Sequence, residues 1–457
     1  MIVESLDLRF FRSHTHLELD RLAPRTLIYG PNGSGKTNIL EAIAYLCGVK
    51  LRPIARDREL TQLGAAGFRI KARVRSQDGR EACLEVRVEG RSRRLFRDGK
   101  PVRFGAPGMP TVVTFTPDDL EIVKGAPEER RRVLEQDIGA HSPRIRDLDR
   151  RYERVLHQRN ALLAQVHEGT ASPETLTPWD RELCDIGGHL QALRALAVTE
   201  LAPVLERTHR RLTGQTDTDP VRAEKEWSTG TGRNGDGPAF EVVYRPSGSG
   251  DQPVEETGPG TATIMAAHPG KKPGDSDPQK GSPVEVGTKS TSTRAGPNME
   301  QGTNMSEKEE SSSLDRLRRR RTEALMKSLA NLRSAEVARG YSLAGPHRDD
   351  LEFLLNGRSM RLFASQGQQR TAVIALKVGI VQWVTDRTGE APVLLLDDVL
   401  SELDPDRQRE LSKLWKNVQI FVTSADPDRV LGDPKGPEER ETVRVDLNHK
   451  DAEDRWM

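Results

Sequence analysis

Residues Gly30-Pro31-Asn32-Gly33-Ser34-Gly35-Lys36-Thr37 complete the pattern Gly-x-x-x-x-Gly-Lys-Thr, and few folds can host it. The pattern needs a strand that delivers the chain to a tight loop and a helix that carries it away. Both signals are present: Thr26 to Tyr29 is a short strand-like run, and Thr37 to Ala44 continues with helical character. Glycines let successive backbone N–H groups turn inward onto an anion, and the helix N-terminus adds the positive end of its dipole. Lys36 is then placed to neutralise the β- and γ-phosphates of a nucleotide, and the Thr37 hydroxyl to ligate Mg²⁺.

Two later segments can complete that site. Val393-Leu394-Leu395-Leu396 is a continuous apolar run, the signature of a strand buried on both faces, and it ends in Asp397-Asp398. Asp397 is expected to hold the Mg²⁺ shell and Asp398 to orient or deprotonate the attacking water. Ser365-Gln366-Gly367-Gln368-Gln369-Arg370 precedes a helical stretch from Thr371 to Trp383, so Ser365, Gly367 and Gln368 lie at a second helix N-terminus. The loop at 30–37 already holds one nucleotide's phosphates. A second anion-binding helix end therefore suits the γ-phosphate of ATP held by another copy, which implies an ATP-dependent homodimer. Ser401-Glu402-Leu403-Asp404 follows the aspartates, and this order is that of an ABC-type ATPase head.

The chain resembles the RecF family within the ABC ATPase class that includes the SMC proteins. The resemblance is carried by Phe10-Phe11-Arg12-Ser13-His14, the loop at 30–37, Phe115 to Leu120, Lys124 to Arg132 and His157 to Leu163. Gly345-Pro346-His347-Arg348-Asp349-Asp350, residues 365–370 and residues 394–404 complete the set. It implies an α/β fold: an ABC-type head with a mixed sheet around the phosphate loop, plus a short antiparallel helical hairpin lobe. It also implies a weak, DNA-stimulated ATPase that binds double-stranded and gapped DNA. Such a protein would work with RecR- and RecO-type mediators in recombinational repair, replication and the SOS response. Arg12 is expected to touch nucleotide. Two features depart from the wider ABC pattern: Thr423-Ser424 stand where many such proteins have a switch histidine, and Phe115 to Asp118 take the place of a glutamine loop. Both point to slow, regulated hydrolysis. The alternative is an SMC-like DNA-bridging ATPase, but the helical hairpin is far too short for an SMC arm.

With a net charge of +1 over 457 residues, no global basic field announces nucleic acid, so any DNA surface must be local. Lys124, Arg130 and Arg131 are the densest candidate on the head, with Arg318 to Arg321 next. Cys47, Cys83 and Cys184 lack metal-type spacing and suit a reducing cytoplasm. Neither a signal-peptide pattern nor a bilayer-length apolar run is evident, so a cytoplasmic protein with no membrane partner is expected.

Alternating strands should flank the loop in a first region, 1–125. A helical region, 126–213, opens with a helix from Pro127 that Gly139 stops and a second that Ser142 starts. Ile145, Leu148, Tyr152, Val155 and Leu162 form one apolar stripe there, and Trp179, Leu183, Ile186, Leu190 and Leu193 another. Residues 214–313 turn to Gly, Pro, Ser, Thr, Glu and Lys. Only Phe240 to Tyr244 reads as a strand in them, and 247–313 is expected to be disordered. Helix is expected again from Leu314, within a C-terminal region, 314–457, that finishes the head.

Overall fold

The computed structural model describes residues 1–49, 51, 57–106, 108–214, 239–248, 301–403, 408, 411, 418–426 and 442–447. The chain divides into two compact units, residues 1–250 with 318–457, and residues 251–317. Within the second unit the described residues are helical. In the first, the head and helical regions share one body, so no boundary at 125/126 separates them as compact units.

Strands β1 (Ile2–Phe11) and β2 (His14–Leu19) open the chain, and β3 (Arg25–Tyr29) leads into the phosphate loop and helix α1 (Lys36–Leu46). After the short helix α2 (Asp57–Leu60) come β4 (Gly67–Arg75), β5 (Glu81–Glu89), β6 (Ser92–Arg97) and β7 (Lys100–Val102). These build an antiparallel sheet of order β2-β1-β4-β5-β6-β7. Its period-two pattern turns Phe68, Ile70, Ala72 and Val74 inward together with Leu84, Val86 and Val88. The inward face packs on α1.

A second sheet has the order β14-β3-β13-β12-β8 and is parallel throughout, with β8 (Val112–Phe115), β12 (Val393–Asp397), β13 (Ile420–Ser424) and β14 (Thr442–Asp446). Val393 and Leu395 join the core around α1, whereas Leu394 and Leu396 join the core on the opposite face. Burial on both faces explains why β12 reads as unbroken apolar sequence. Helix α1 lies between the sheets, which is why it is buried from Ile39 to Leu46.

The helix from Pro127 is shorter than expected. Regular α-helix α3 (Pro127–Arg132) gives way to a π-turn, Val133–Ile138, and a 3₁₀ turn, Gly139–His141. The wider turn buries Asp137 against Lys377, 2.9 Å away. Ser142 Oγ then accepts from Ile145 N and starts α4 (Pro143–His167), which packs with α5 (Thr177–Leu212) as the expected hairpin. In the stripes, Leu162, Trp179 and Leu193 are half-buried and the other expected residues are buried.

Helix α6 (Gln301–Arg339) begins earlier than expected. No proline follows Pro297 before Pro346, and Glu307-Lys308-Glu309-Glu310 favour helix, so the turns preceding Leu314 extend a helix already nucleated. Residues 301–313 are therefore helical, correcting the expectation of disorder there; residues 249–300 lie outside the described residues. The strand expected near Phe240 is β9 (Phe240–Arg245), paired antiparallel with β10 (Asp350–Leu355), and β11 (Arg358–Ser359) closes that sheet across Asn356-Gly357. Helix α7 (Met360–Phe363) leads into α8 (Gln366–Thr388). At Gly379 of α8, a Cβ would meet Leu205 at 2.4 Å, so glycine lets α5 lie close against the head instead of projecting as an arm.

Buried charge stitches the helical lobe to the head. Arg159, fully buried, donates to Asp180, Glu336 and Ser342, joining α4, α5, α6 and the segment beyond. Asp349, equally buried, accepts from Gln191, Arg194, Tyr244 and the Ser247 backbone. Removing one partner of such a group strands a buried charge, at a cost of roughly 3–5 kcal/mol.

His209 is also buried; its ring stacks on Phe240 with centroids 4.6 Å apart, and burial pushes its pKa down to about 4. A histidine held neutral in the fold takes up its proton more readily when unfolded. Its contribution is therefore present above the unfolded value near 6.5 and is lost as pH falls toward 4. In His209→Phe, the difference between unfolding free energies at pH 7 and pH 5 should shrink by about 2 kcal/mol relative to wild type. Urea titrations at the two pH values measure it.

Candidate nucleotide site

The parallel sheet sets the geometry. Its register pairs Leu396 with Phe115 and Asp397 with Thr423, so three strand ends meet at the carboxyl edge, where α/β sheets bind ligands. From β3 the chain enters the loop at 30–37, in which Gly30, Gly33 and Gly35 all have positive φ. Gly35 is the N-cap of α1 with φ 96°; a Cβ there would lie 2.6 Å from both His14 Nε2 and Ser13 Oγ. The turn at Phe10 to His14 is thus packed onto the loop's last glycine, with His14 Nε2 3.1 Å from Gly35 O and Asn38 Nδ2 donating to Ser13 Oγ at 2.9 Å.

Lys36 Nζ lies over the loop, donating to Gly30 O at 2.7 Å and Pro31 O at 3.0 Å. Burial pushes its pKa down, and the nearby Asp398 and Asp397 carboxylates pull against that shift. Thr37 Oγ1 donates to Asp397 Oδ1 at 2.8 Å, and Thr423 Oγ1 donates to the same oxygen at 2.8 Å. Thr423 Oγ1 also accepts from the Asp398 N–H at 3.0 Å. Asp398 has a positive φ of 52°, an uncommon conformation for a residue with a side chain, and Ser401 Oγ donates to its carbonyl at 2.6 Å.

The hard oxygens of Thr37 and Asp397 at the mouth of a phosphate loop suit Mg²⁺. Among the described residues, no cluster of three or more His, Cys, Asp or Glu could hold a metal alone. A magnesium ion here would therefore draw its remaining ligands from nucleotide phosphates and water. Thr423 was legible in the sequence as a missing switch histidine. Its bridging role was not, because strand register decides which side chain faces Asp397.

Arg12 sits in the turn against the loop with φ 53°, and its guanidinium is committed to Glu41 of α1 at 2.8 Å in a bidentate pair and to Glu59 O. It clamps the turn to α1. Ser365 caps α8: its Oγ accepts from Gln368 N at 3.3 Å, and Gln368 Oε1 accepts from Ser365 N at 2.9 Å. Ser365 and Gln368 are exposed, and Gly367 is half-buried. Asp404 lies outside the described residues.

The basic cluster is not a free surface. Arg130 is buried and pairs with both Asp350 oxygens at 2.7 and 2.8 Å, so its assignment to DNA is corrected: the guanidinium fastens α3 to β10. Arg131 donates to Asp349 O and Glu128, Arg132 pairs with Glu129, and Lys124 pairs with Glu121 at 2.9 Å.

Fold and site together define a P-loop ATPase head of the ABC type. Residues 5–159 match a family model described as an AAA domain. Over 429 residues the chain is 32% identical to the DNA replication and repair protein RecF of Heliobacterium modesticaldum, covering 93% of this chain and 92% of that one. The RecF of Symbiobacterium thermophilum is 32% identical over 439 residues, covering 94% and 93%. The chain belongs to the RecF family. In fold it matches a solved structure described as the recombination mediator protein RecF-ATPrS in the RecFOR pathway, with a TM-score of 0.70, 24% identity and 94% of both chains covered. The corresponding RecF-ATP structure gives a TM-score of 0.66.

Thr423→Val keeps the side-chain shape while removing both hydrogen bonds at the strand end. ATP hydrolysis should fall about tenfold with affinity changed less than about threefold. Steady-state hydrolysis and fluorescent-nucleotide titration check this.

Proposed function

We propose that this protein is an ATP-dependent DNA-binding protein of recombinational repair and replication. It dimerises over ATP and Mg²⁺ on gapped DNA, hydrolyses ATP weakly as a switch under DNA stimulation, and helps load recombinase at single-strand gaps with RecR- and RecO-type mediators. The observation that carries the reading is the pair of half-sites on one chain. One is a phosphate loop with its magnesium and water-directing carboxylates, and the other is a helix N-terminus capped by an exposed serine. Lys36 and Asp398 are the catalytic residues of this reading. Residues 30–37 hold nucleotide, Thr37 and Asp397 hold the metal, and Ser365, Gly367 and Gln368 close on the partner copy's γ-phosphate. Arg12, held beside the loop by Glu41, contacts the nucleotide. The relatives' description as DNA replication and repair proteins supports the biological setting. No helix among the described residues is long and apolar enough to cross a membrane.

Ser365→Arg should leave ATP binding within about twofold of wild type while abolishing ATP-driven dimerisation, since a bulky cation occupies the closing face. Light scattering behind a sizing column reads this directly; normal dimerisation would remove the composite site from the account.

For DNA, Lys124 and Arg131 remain the proposed phosphate contacts. Their carboxylate partners Glu121 and Glu128 are exposed, and such pairs contribute little, although Arg131 also donates to Asp349 O. Lys124→Glu with Arg131→Glu should weaken DNA binding and flatten its dependence on salt by about two phosphate contacts, with ATP affinity unchanged. Titrations of duplex DNA at several salt concentrations give the slope. An unchanged slope moves the surface to Arg318 to Arg321.

A further inference from the structure

Lys377 is a fully buried lysine on α8, 3.2 Å from Asp119 and 2.9 Å from Asp137. Burial alone would depress its pKa, but the two carboxylates outweigh that and raise it. The three groups border a small polar cavity that Thr114, Thr116, Arg132 and Gln136 also line, with room for about one water. Ionic groups this deep are expensive, and well-packed apolar side chains of similar volume often serve stability as well or better. The positions of the two carboxylates suggest what the arrangement does.

Asp119 holds two things at once. One carboxylate oxygen faces Lys377, and the other accepts from Thr116 N at 2.8 Å and Thr116 Oγ1 at 3.2 Å. Thr116 directly follows Phe115, which pairs with Leu396, so the turn begins at the sheet edge level with Asp397. Pro117 and Asp118 of that turn are exposed. Asp137 belongs to the π-turn Val133–Ile138, where the widened backbone brings it to the ammonium. Lys377 sits midway along α8, and about 18 Å from it, at the N-terminus of the helix, lies Ser365. A continuous path thus runs from Asp397 through its neighbour Leu396 to Phe115, Thr116, Asp119 and Lys377, and along α8 to the capped helix end.

We infer that Lys377, Asp119 and Asp137 are positioning residues that lock the turn after β8 to helix α8, so that the metal-side edge and the Ser365 end move as one body during ATP hydrolysis. The inference rests on the ATPase reading. It adds a link between its two half-sites that neither the phosphate loop nor the capping serine supplies.

The test uses the full chain with an uncharged cluster, Lys377→Met with Asp119→Asn and Asp137→Asn. The amide that replaces the Asp119 carboxylate retains an oxygen that can cap Thr116, and no buried charge is left unpaired. The expected result is a melting temperature and a KM for ATP close to wild type, with kcat lowered at least about tenfold. Amide exchange reads the link without hydrolysis. In the wild type, ATP should protect residues 116–122 and 366–369 together; in the variant, the two sets should respond separately. A wild-type protein that binds ATP without hydrolysing it would defeat the ATPase reading, and the exchange experiment would still decide the link. Wild-type kcat with joint protection in the variant would overturn the inference. So would a parallel collapse of melting temperature, KM and kcat, which marks a merely structural cluster.

Discussion

One carboxylate oxygen, Asp397 Oδ1, gathers three distant parts of the chain. It receives Thr37 from the phosphate-loop helix and Thr423 from the neighbouring strand, both at 2.8 Å, while β12 carries it to the sheet edge. Hydrogen bonds to a charged acceptor are the stronger kind, and these two fix the end of β12 at the sheet edge. The remainder of the head serves that point. The parallel register puts Thr423 opposite Asp397, α1 fills the space between the two sheets, and the Phe10 to His14 turn closes over Gly35.

Much of this was legible because the chemistry needs particular residues at particular spacings. The phosphate loop, the apolar strand ending in Asp397-Asp398 and the capping serine at 365 all announce themselves by pattern. The antiparallel strands were legible by alternation and the helical hairpin by its stripes. What escaped was fixed by tertiary pairing. Arg130 looks like part of a basic patch, but Asp350, far away in sequence, claims it. Arg12, expected to touch nucleotide, also has a partner that the sequence does not announce, Glu41 on α1. The switch from α-helix to π-turn at Val133 answers to Lys377, more than two hundred residues later. No local propensity reports such partners.

The same distinction explains residues 345–350. Asp349 and Asp350 both have partners distant in sequence: one takes hydrogen bonds from Gln191, Arg194 and Tyr244, the other holds Arg130. His347 Nδ1 lies 2.7 Å from the Tyr152 hydroxyl, and burial pushes its pKa down to about 4. A segment that carries much of the family resemblance is therefore spent on docking the helical lobe to the head.

The central claim is that each ATP is completed by two chains, and mixing two inactive variants tests it most directly. Lys36→Ala disables the phosphate loop and keeps the Ser365 face; Ser365→Arg does the reverse. Each alone should hydrolyse almost no ATP. Mixed at equal concentration, some dimers would pair the intact loop of one chain with the intact capping face of the other. The account predicts that hydrolysis returns on mixing, to no more than the share that one working site per mixed dimer allows. A mixture as inactive as its parts, from chains that still associate, would contradict it.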